Sequence, residues 1–217
     1  MKLNRIVLEN YGPYKGRTAF DLPTTPAQPI VLFGGANGAG KTTLFNAIQI
    51  CLHGRSAFDG RLSREEYEEW LKNQLHASSG MQTSEATLRV DFEYADLGET
   101  AGYSVTRELR DRGESVVDNL TVRRNGTPLS DVDSDQLEDF LKELIPPGIS
   151  GLFFFDGEKV KRLAEDIKSQ SMFAESLQSL LGLDLIDRLD SDLSIYLSNK
   201  LEEDGGDKLA AKIETLR

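Results

Sequence analysis

Cysteine is nearly missing from this 217-residue chain, and Cys51 is its only one. That excludes a disulfide framework and a cysteine-based zinc site within the chain. Histidine is almost as scarce. His53 and His76 stand alone with no partner at metal-ligand spacing, so they read as surface or core histidines. No Ser-His-Asp or Cys-His arrangement is visible, so nucleophilic catalysis has no support. No hydrophobic run approaches the ~20 residues that span a bilayer, and the N-terminus lacks a signal-peptide apolar block. The expected location is cytoplasmic. Basic residues are outnumbered, 25 Lys and Arg against 36 Asp and Glu, for a net charge of −11. This argues against indiscriminate nucleic-acid binding, which needs a basic face to displace counterions. A local basic patch or a partner could still bring the chain to DNA.

The 39% hydrophobic content suffices for one large domain, or for a domain with an appendage. LNRIVLE (3–9) alternates apolar and polar, RTAFDL (17–22) is short, and PIVLFG (29–34) has the continuous apolar character of a buried strand. Tyr11-Gly12-Pro13-Tyr14 is turn chemistry between the first two. Leu44, Ala47, Ile48 and Cys51 then mark one face of a helix, with Gly54 as its C-cap. Ser63-Arg64-Glu65-Glu66 is a capping box for a second helix carrying Tyr67, Trp70, Leu71 and Leu75. From about 83 to 129 the period drops to two, and Asn125-Gly126 is a hairpin turn, which together predict an antiparallel meander. A further helix over about 134–145 is stopped by Pro146-Pro147-Gly148. After 185, Ile186, Leu189, Leu193 and Tyr196 show 3-4-3 spacing of coiled-coil type.

GANGAGKT (35–42) satisfies the phosphate-loop pattern in full, with an apolar segment before it and an amphipathic helix after it. Glycines let the backbone curl so that successive N–H groups face phosphate oxygens, and the helix N-terminus adds its dipole. Asn37, Gly38, Ala39, Gly40, Lys41, Thr42 and Thr43 are therefore the candidate nucleotide-binding residues. Lys41 can reach the β- and γ-phosphates, the Thr42 hydroxyl can ligate Mg²⁺, and Thr43 can bond an α-phosphate. ATP and Mg²⁺ are the expected cofactors.

GLFFFDGEK (151–159) is an apolar strand that ends on carboxylates. It has two readings. As a Walker B strand, Asp156 would hold Mg²⁺ and Glu158 would activate water, making the chain a self-contained NTPase or kinase. Alternatively it is a strand end capped by solvated acids.

MKLNRIVLENYGPYKG…FDL followed by GGANGAGKTTLFNAI resembles the N-terminal half of the SMC-like ATPases of the SbcC class. With FFFDGEKV added, the chain resembles the DndD family, ATPases of bacterial DNA phosphorothioation. The resemblance covers nearly the whole chain, anchored at 34–50 and 151–160. It implies an α/β P-loop lobe of the ABC/SMC-like type. A mixed core sheet would carry the antiparallel meander beside it, and C-terminal helices would begin a coiled-coil arm. Residues 1–184 would be the ATP-binding lobe, with a Q-loop-like strand at 151–158, and 185–217 the start of the arm. Asp156 takes the slot of the Q-loop glutamine, a departure from the wider class, and could accept from metal-bound water. Glu158 could orient water or cap the next helix. On this reading Lys41, Asp156 and Glu158 form the catalytic set, and Thr42 and Asp156 the metal set.

The resemblance also implies partners: DNA, a cysteine desulfurase, a DndC-type sulfurtransferase, DndE, and a second copy in a nucleotide-dependent homodimer. No signature motif, second Asp-Glu strand or switch histidine occurs before Arg217. The chain is thus expected to be the front part of a longer protein, binding ATP but hydrolysing it negligibly alone. A structural SMC-like tether for DNA, gated by ATP, is a further reading. Arg5 and Arg55 are lesser phosphate candidates. Arg107, Arg110, Arg112, Arg123 and Arg124 gather on the meander as DNA-contact candidates, against the commoner explanation of a solvated hairpin.

Overall fold

A computed structural model describes residues 1–58, 61–78, 80–96, 98–129, 133–147, 189 and 192–196. The chain divides into two compact units, Met1–Ser150 and Gly151–Arg217. In the second, Leu189 and residues 192–196 are helical, and Leu189, Leu193 and Tyr196 are exposed. The 151–158 strand lies outside the described residues, as does most of the anticipated coiled-coil start.

The first unit is built on a six-stranded sheet in the order β2-β1-β5-β6-β7-β8. Its strands are β1 (Lys2–Tyr11), β2 (Tyr14–Asp21), β5 (Glu85–Asp96), β6 (Glu99–Asp111), β7 (Val116–Arg124) and β8 (Thr127–Pro128). A separate short hairpin joins β3 (Ala77–Ser78) to β4 (Met81–Gln82). Helices α1 (Lys41–His53), α2 (Arg64–Gln74) and α3 (Ser134–Leu144) are packed with these strands. The β7–β8 turn has Asn125 at φ 51° and Gly126 at φ 83°, the left-handed pair that a tight hairpin needs.

Every ladder among the described strands is antiparallel, and the meander belongs to the same sheet as β1 and β2. It continues directly from β1, with Ile6 opposite Val90 and Leu8 opposite Leu88. Segment 29–34, expected as a buried strand, is in no ladder, and Ile30 and Leu32 are 83% and 90% exposed. An apolar run without alternation suits a strand covered on both faces, and the described residues supply no strand partner for it. Within it Phe33 is seated, its ring edge-on to Phe20 with centroids 5.6 Å apart.

One face of the sheet is buried by period-two patterning. Ala86, Leu88, Val90 and Phe92 of β5 and Tyr103, Val105 and Leu109 of β6 all point into the core. Against them α1 presses Leu44, Ala47, Ile48 and Cys51, and Cys51 Sγ lies 3.4 Å from the Val105 carbonyl. Each fully buried aliphatic chain of this kind contributes about 1.5–3 kcal/mol. Burial pushes the Cys51 thiol up to about 12, so it packs as a small apolar group.

Arg107 sits in the middle of this apolar face. Its charge groups it with the surface arginines of the meander, yet its side chain is 1% exposed. The parity of β6 explains the correction, because 103, 105, 107 and 109 share the inward face. Its guanidinium donates to Asp118 at 2.8 Å, to Glu138 at 3.3 Å and to the Cys51 carbonyl at 3.1 Å. The Tyr67 hydroxyl donates to the same Asp118 oxygen at 3.0 Å. Burial opposes the Arg107 charge, but Asp118, Tyr67 and Glu138 outweigh it and raise its pKa. Gly54 caps α1 at φ 53°, and a Cβ there would stand 2.6 Å from an Arg107 nitrogen. The glycine thus lets the guanidinium reach the helix end.

His53, in the last turn of α1, is buried with both ring nitrogens unpartnered among the described residues. Burial, with the Arg107 charge nearby, pushes its pKa from 6.5 down to about 4. Folding therefore favours the neutral ring. The associated stability is complete above pH 6.5 and is lost as pH falls toward 4. Urea unfolding from pH 7 to 4 should show His53→Gln losing less stability than the parent, by roughly 3 kcal/mol across that window. Parallel curves for the two proteins would refute the buried neutral imidazole.

Candidate functional site

The loop before α1 is shaped by glycines. Gly38 and Gly40 hold φ 80° and 94°, a region that glycine enters without strain. A Cβ on Gly38 would meet nothing within 4 Å, so the cradle side of the loop is open. Ala39 N–H bonds the Ala36 carbonyl at 3.2 Å, closing a turn inside the loop. Residues 35–39 are exposed, as are Lys41 and Thr42, while Gly40 and Thr43 are half-buried.

Gly40 is the N-cap of α1, and having no side chain it leaves the helix start uncapped. The first-turn N–H groups have no acceptor within the helix, and no acidic residue occupies that turn. Lys41 Nζ donates to the Gly35 and Ala36 carbonyls, both at 2.8 Å, and to no carboxylate among the described residues. A cation satisfied by neutral carbonyls, next to free N–H donors and a positive helix end, makes an anion site. The donors present fit a polyphosphate. Among the described residues no cluster of three or more His, Cys, Asp or Glu could hold a metal. A Mg²⁺ ion fits this donor set only in its usual manner, through one hydroxyl, phosphate oxygens and water. Thr42 is the hydroxyl on hand. Asp156 and Glu158 lie outside the described residues.

Of the other sequence candidates, Arg5 is held by Asp21 at 3.2 Å across β1 and β2, and Arg55 is exposed just past α1. Arg110 is half-exposed between Glu85 and Glu108, each at 3.5 Å. Arg112, Arg123 and Arg124 are exposed. The structure therefore does not bring the meander arginines together, since Arg107 faces inward and Arg110 is flanked by acids. One residue at the loop carries no signal in the sequence: Tyr14, whose hydroxyl donates to the Gly40 carbonyl at 3.1 Å. Gly12 and Pro13 announce a turn, but a single sequence does not reveal what a turn lies against.

The family model of the AAA domain matches residues 5–216. The chain belongs to the AAA domain family. Among curated proteins it is similar to the SbcC component of the nuclease SbcCD from Treponema pallidum (strain Nichols), 46% identical over 55 residues. That alignment covers 25% of this chain and 5% of the relative. It is also similar to the SbcC component of the nuclease SbcCD from Vibrio cholerae serotype O1 (strain ATCC 39315 / El Tor Inaba N16961), 27% identical over 108 residues. Here 50% of the chain and 9% of the relative are covered. The matched stretches are thus a small part of those relatives. Among the described residues no helix of this AAA domain is long and apolar enough to cross a membrane.

Lys41 is exposed and bonds loop carbonyls, so its removal should cost ligand affinity and not stability. Lys41→Ala is expected to abolish ATP binding in calorimetry while leaving the melting temperature unchanged. Unaltered affinity would show that the loop does not bind nucleotide.

Proposed function

We propose that this chain is the N-terminal ATP-binding half of an SMC-like ATPase that acts on DNA. The observation that carries the reading is the uncapped α1 N-terminus beside Lys41, a cation held by neutral carbonyls in a glycine loop open to solvent. In this reading Asn37 to Thr43 hold the triphosphate and Lys41 places its charge at the β- and γ-phosphates. Thr42 offers its hydroxyl to Mg²⁺. The bound ATP·Mg²⁺ supplies the phosphoanhydride whose cleavage drives pairing and separation of lobes. Asp156 is proposed as a second metal contact through water and Glu158 as a water-orienting acid. Residues 1–184 form the ATP-binding lobe and 185–217 begin the arm.

A narrower assignment follows from FFFDGEKV in combination with the N-terminal segment and the phosphate loop: a DndD-like role in DNA sulfur modification, in the cytoplasm. Its partners would be a cysteine desulfurase, a DndC-type sulfurtransferase and DndE. The ATPase would not make the sulfur bond itself. It would remodel DNA or the assembly as a nucleotide-dependent homodimer. What supports this assignment is the resemblance carried by those motifs together.

Placement of charge and water at the γ-phosphate governs turnover, and a missing arm of such a site typically costs about 10²- to 10³-fold. Residues 1–217 should therefore bind ATP and turn it over negligibly until the remaining lobe is supplied. Robust hydrolysis by these residues alone, lost on Glu158→Gln, would establish FFFDGE as a Walker B strand of a complete NTPase.

Contact with DNA would fall to the exposed arginines at the end of β7. Reversing Arg123 and Arg124 to Glu in the full-length protein should weaken DNA binding and flatten its salt dependence, the slope falling by about 2. A slope equal to the parent's would return them to hairpin solvation.

A further inference from the structure

We propose that the β1–β2 turn, Asn10 to Tyr14, is an outer wall of the phosphate site, and that Gly12 and Tyr14 are positioning residues for Thr43 and Gly40. The proposal deepens the ATP-binding reading and rests on it.

The turn touches the loop and α1 at two points. At the first, a Cβ built on Gly12 would lie 2.6 Å from Thr43 Cγ2, but 3.8 Å from Thr43 Oγ1. The turn therefore presses on the methyl side of Thr43. A β-branched side chain on a helix has few χ1 options, so fixing the methyl also fixes the hydroxyl. Gly12 thereby sets where the Thr43 oxygen points, and only a residue without Cβ permits that approach. At the second point, a Cβ on Gly40 would stand 2.7 Å from Pro13 Cγ and 3.0 Å from the Tyr14 oxygen. The Gly40 carbonyl accepts the first helical bond, from Leu44 N–H at 2.8 Å, and also the Tyr14 hydroxyl at 3.1 Å. Tyr14 holds the left-handed residue that starts the helix.

A wall must not yield, and this one is braced from behind. Gly12 N–H donates to the Gln74 carbonyl at 2.6 Å. The Gly12 carbonyl accepts from His76 Nδ1 at 2.7 Å, which requires the Nδ1–H tautomer. His76 N–H donates to the Asn10 carbonyl at 2.8 Å, and Tyr11 bridges to Leu75. Asn10 Oδ1 accepts from Gly16 N–H at 2.9 Å across the turn. Both backbone polar groups of Gly12 are thus engaged and Tyr11 is fully buried. An added methyl at 12 cannot swing outward. It must displace the Thr43 side chain.

The contact predicts a specific coupling. Thr43→Ser removes the methyl in question and keeps the hydroxyl. ATP·Mg²⁺ affinity is measured by calorimetry, with melting temperatures, for Gly12→Ala, Thr43→Ser, the double variant, Tyr14→Phe and Lys41→Ala. Gly12→Ala should weaken binding about 10-fold or more, as overpacking moves the hydroxyl. Thr43→Ser alone should weaken binding about 3-fold, since the hydroxyl loses the methyl that orients it, and the double variant should bind no worse than Thr43→Ser, a non-additivity expected of touching residues. Tyr14→Phe should weaken binding about 3- to 10-fold while lowering the melting temperature by only a few degrees, the stability cost of one hydrogen bond. Alanine at φ 53° lowers stability in the single and double variants alike, so affinity rescue is separate from fold repair.

If Lys41→Ala binds ATP as the parent does, the loop is not the nucleotide site and both readings fall. If Lys41→Ala abolishes binding while Tyr14→Phe keeps the parent's affinity, the turn has no positioning role. A double variant no better than Gly12→Ala overturns it equally, and Tyr14→Phe decides the matter should Gly12→Ala fail to fold.

Discussion

A guanidinium withdrawn from water must find acceptors for its N–H groups, and in this protein that requirement fixes which elements meet. Arg107 reaches Asp118 on the neighbouring strand, Glu138 on α3 and the Cys51 carbonyl near the end of α1. Tyr67 brings α2 to the same carboxylate. A cation at a helix C-terminus is favoured by the dipole, so the arginine also anchors the end of α1 farthest from the phosphate loop. Deleting one partner of a buried pair leaves its charge uncompensated, at a cost of roughly 3–5 kcal/mol. Three helices and the sheet thus share one point of failure. Gly54 belongs to it as well, since a side chain there would occupy the guanidinium's place.

The phosphate end of α1 is held by a different chemistry. There the β1–β2 turn is tied to residues 74–76 by backbone bonds and the His76 ring, and one tyrosine hydroxyl reaches the helix start. Ionic anchoring at one end and backbone anchoring at the other leave the helix little room to slide. The first-turn N–H groups then keep their direction without a capping side chain, which is the condition for receiving an anion without prior rearrangement.

Much of this is readable from the sequence wherever a local rule governs. The Ser63–Glu66 box forms with both reciprocal bonds, at 3.2 Å and 2.7 Å, because capping depends on residues three apart. Gly54 and the Asn125-Gly126 turn are legible for the same reason, as positions demanding positive φ. Arg107 could be placed from the sequence, since it falls in phase with Tyr103, Val105 and Leu109. Its charge suggests solvent and obscures the parity. The antiparallel continuity of β1 with β5 is not legible, because strand order depends on contacts distant in sequence. The role of Tyr14 is hidden likewise, since its partner Gly40 lies on another element. The segment 29–34 misleads for a subtler reason: its composition records what a covered strand needs, and not whether the described residues provide the cover.

That exposed stretch has a consequence for how the molecule behaves in bulk. Ile30, Val31, Leu32 and Phe33 form a short, uncharged, β-prone window, the composition that stacks chain upon chain into cross-β ladders. Pro23, Pro26 and Pro29 stand before it and Gly34 and Gly35 after it, residues that lack an N–H donor or resist a strand conformation. They confine the window to a length at which self-pairing is weak. The net charge of −11 adds a long-range repulsion between copies. At physiological ionic strength that repulsion is screened within about 8 Å. Colloidal behaviour should accordingly follow salt closely, with copies kept apart in dilute buffer and drawn together through this window as ions are added.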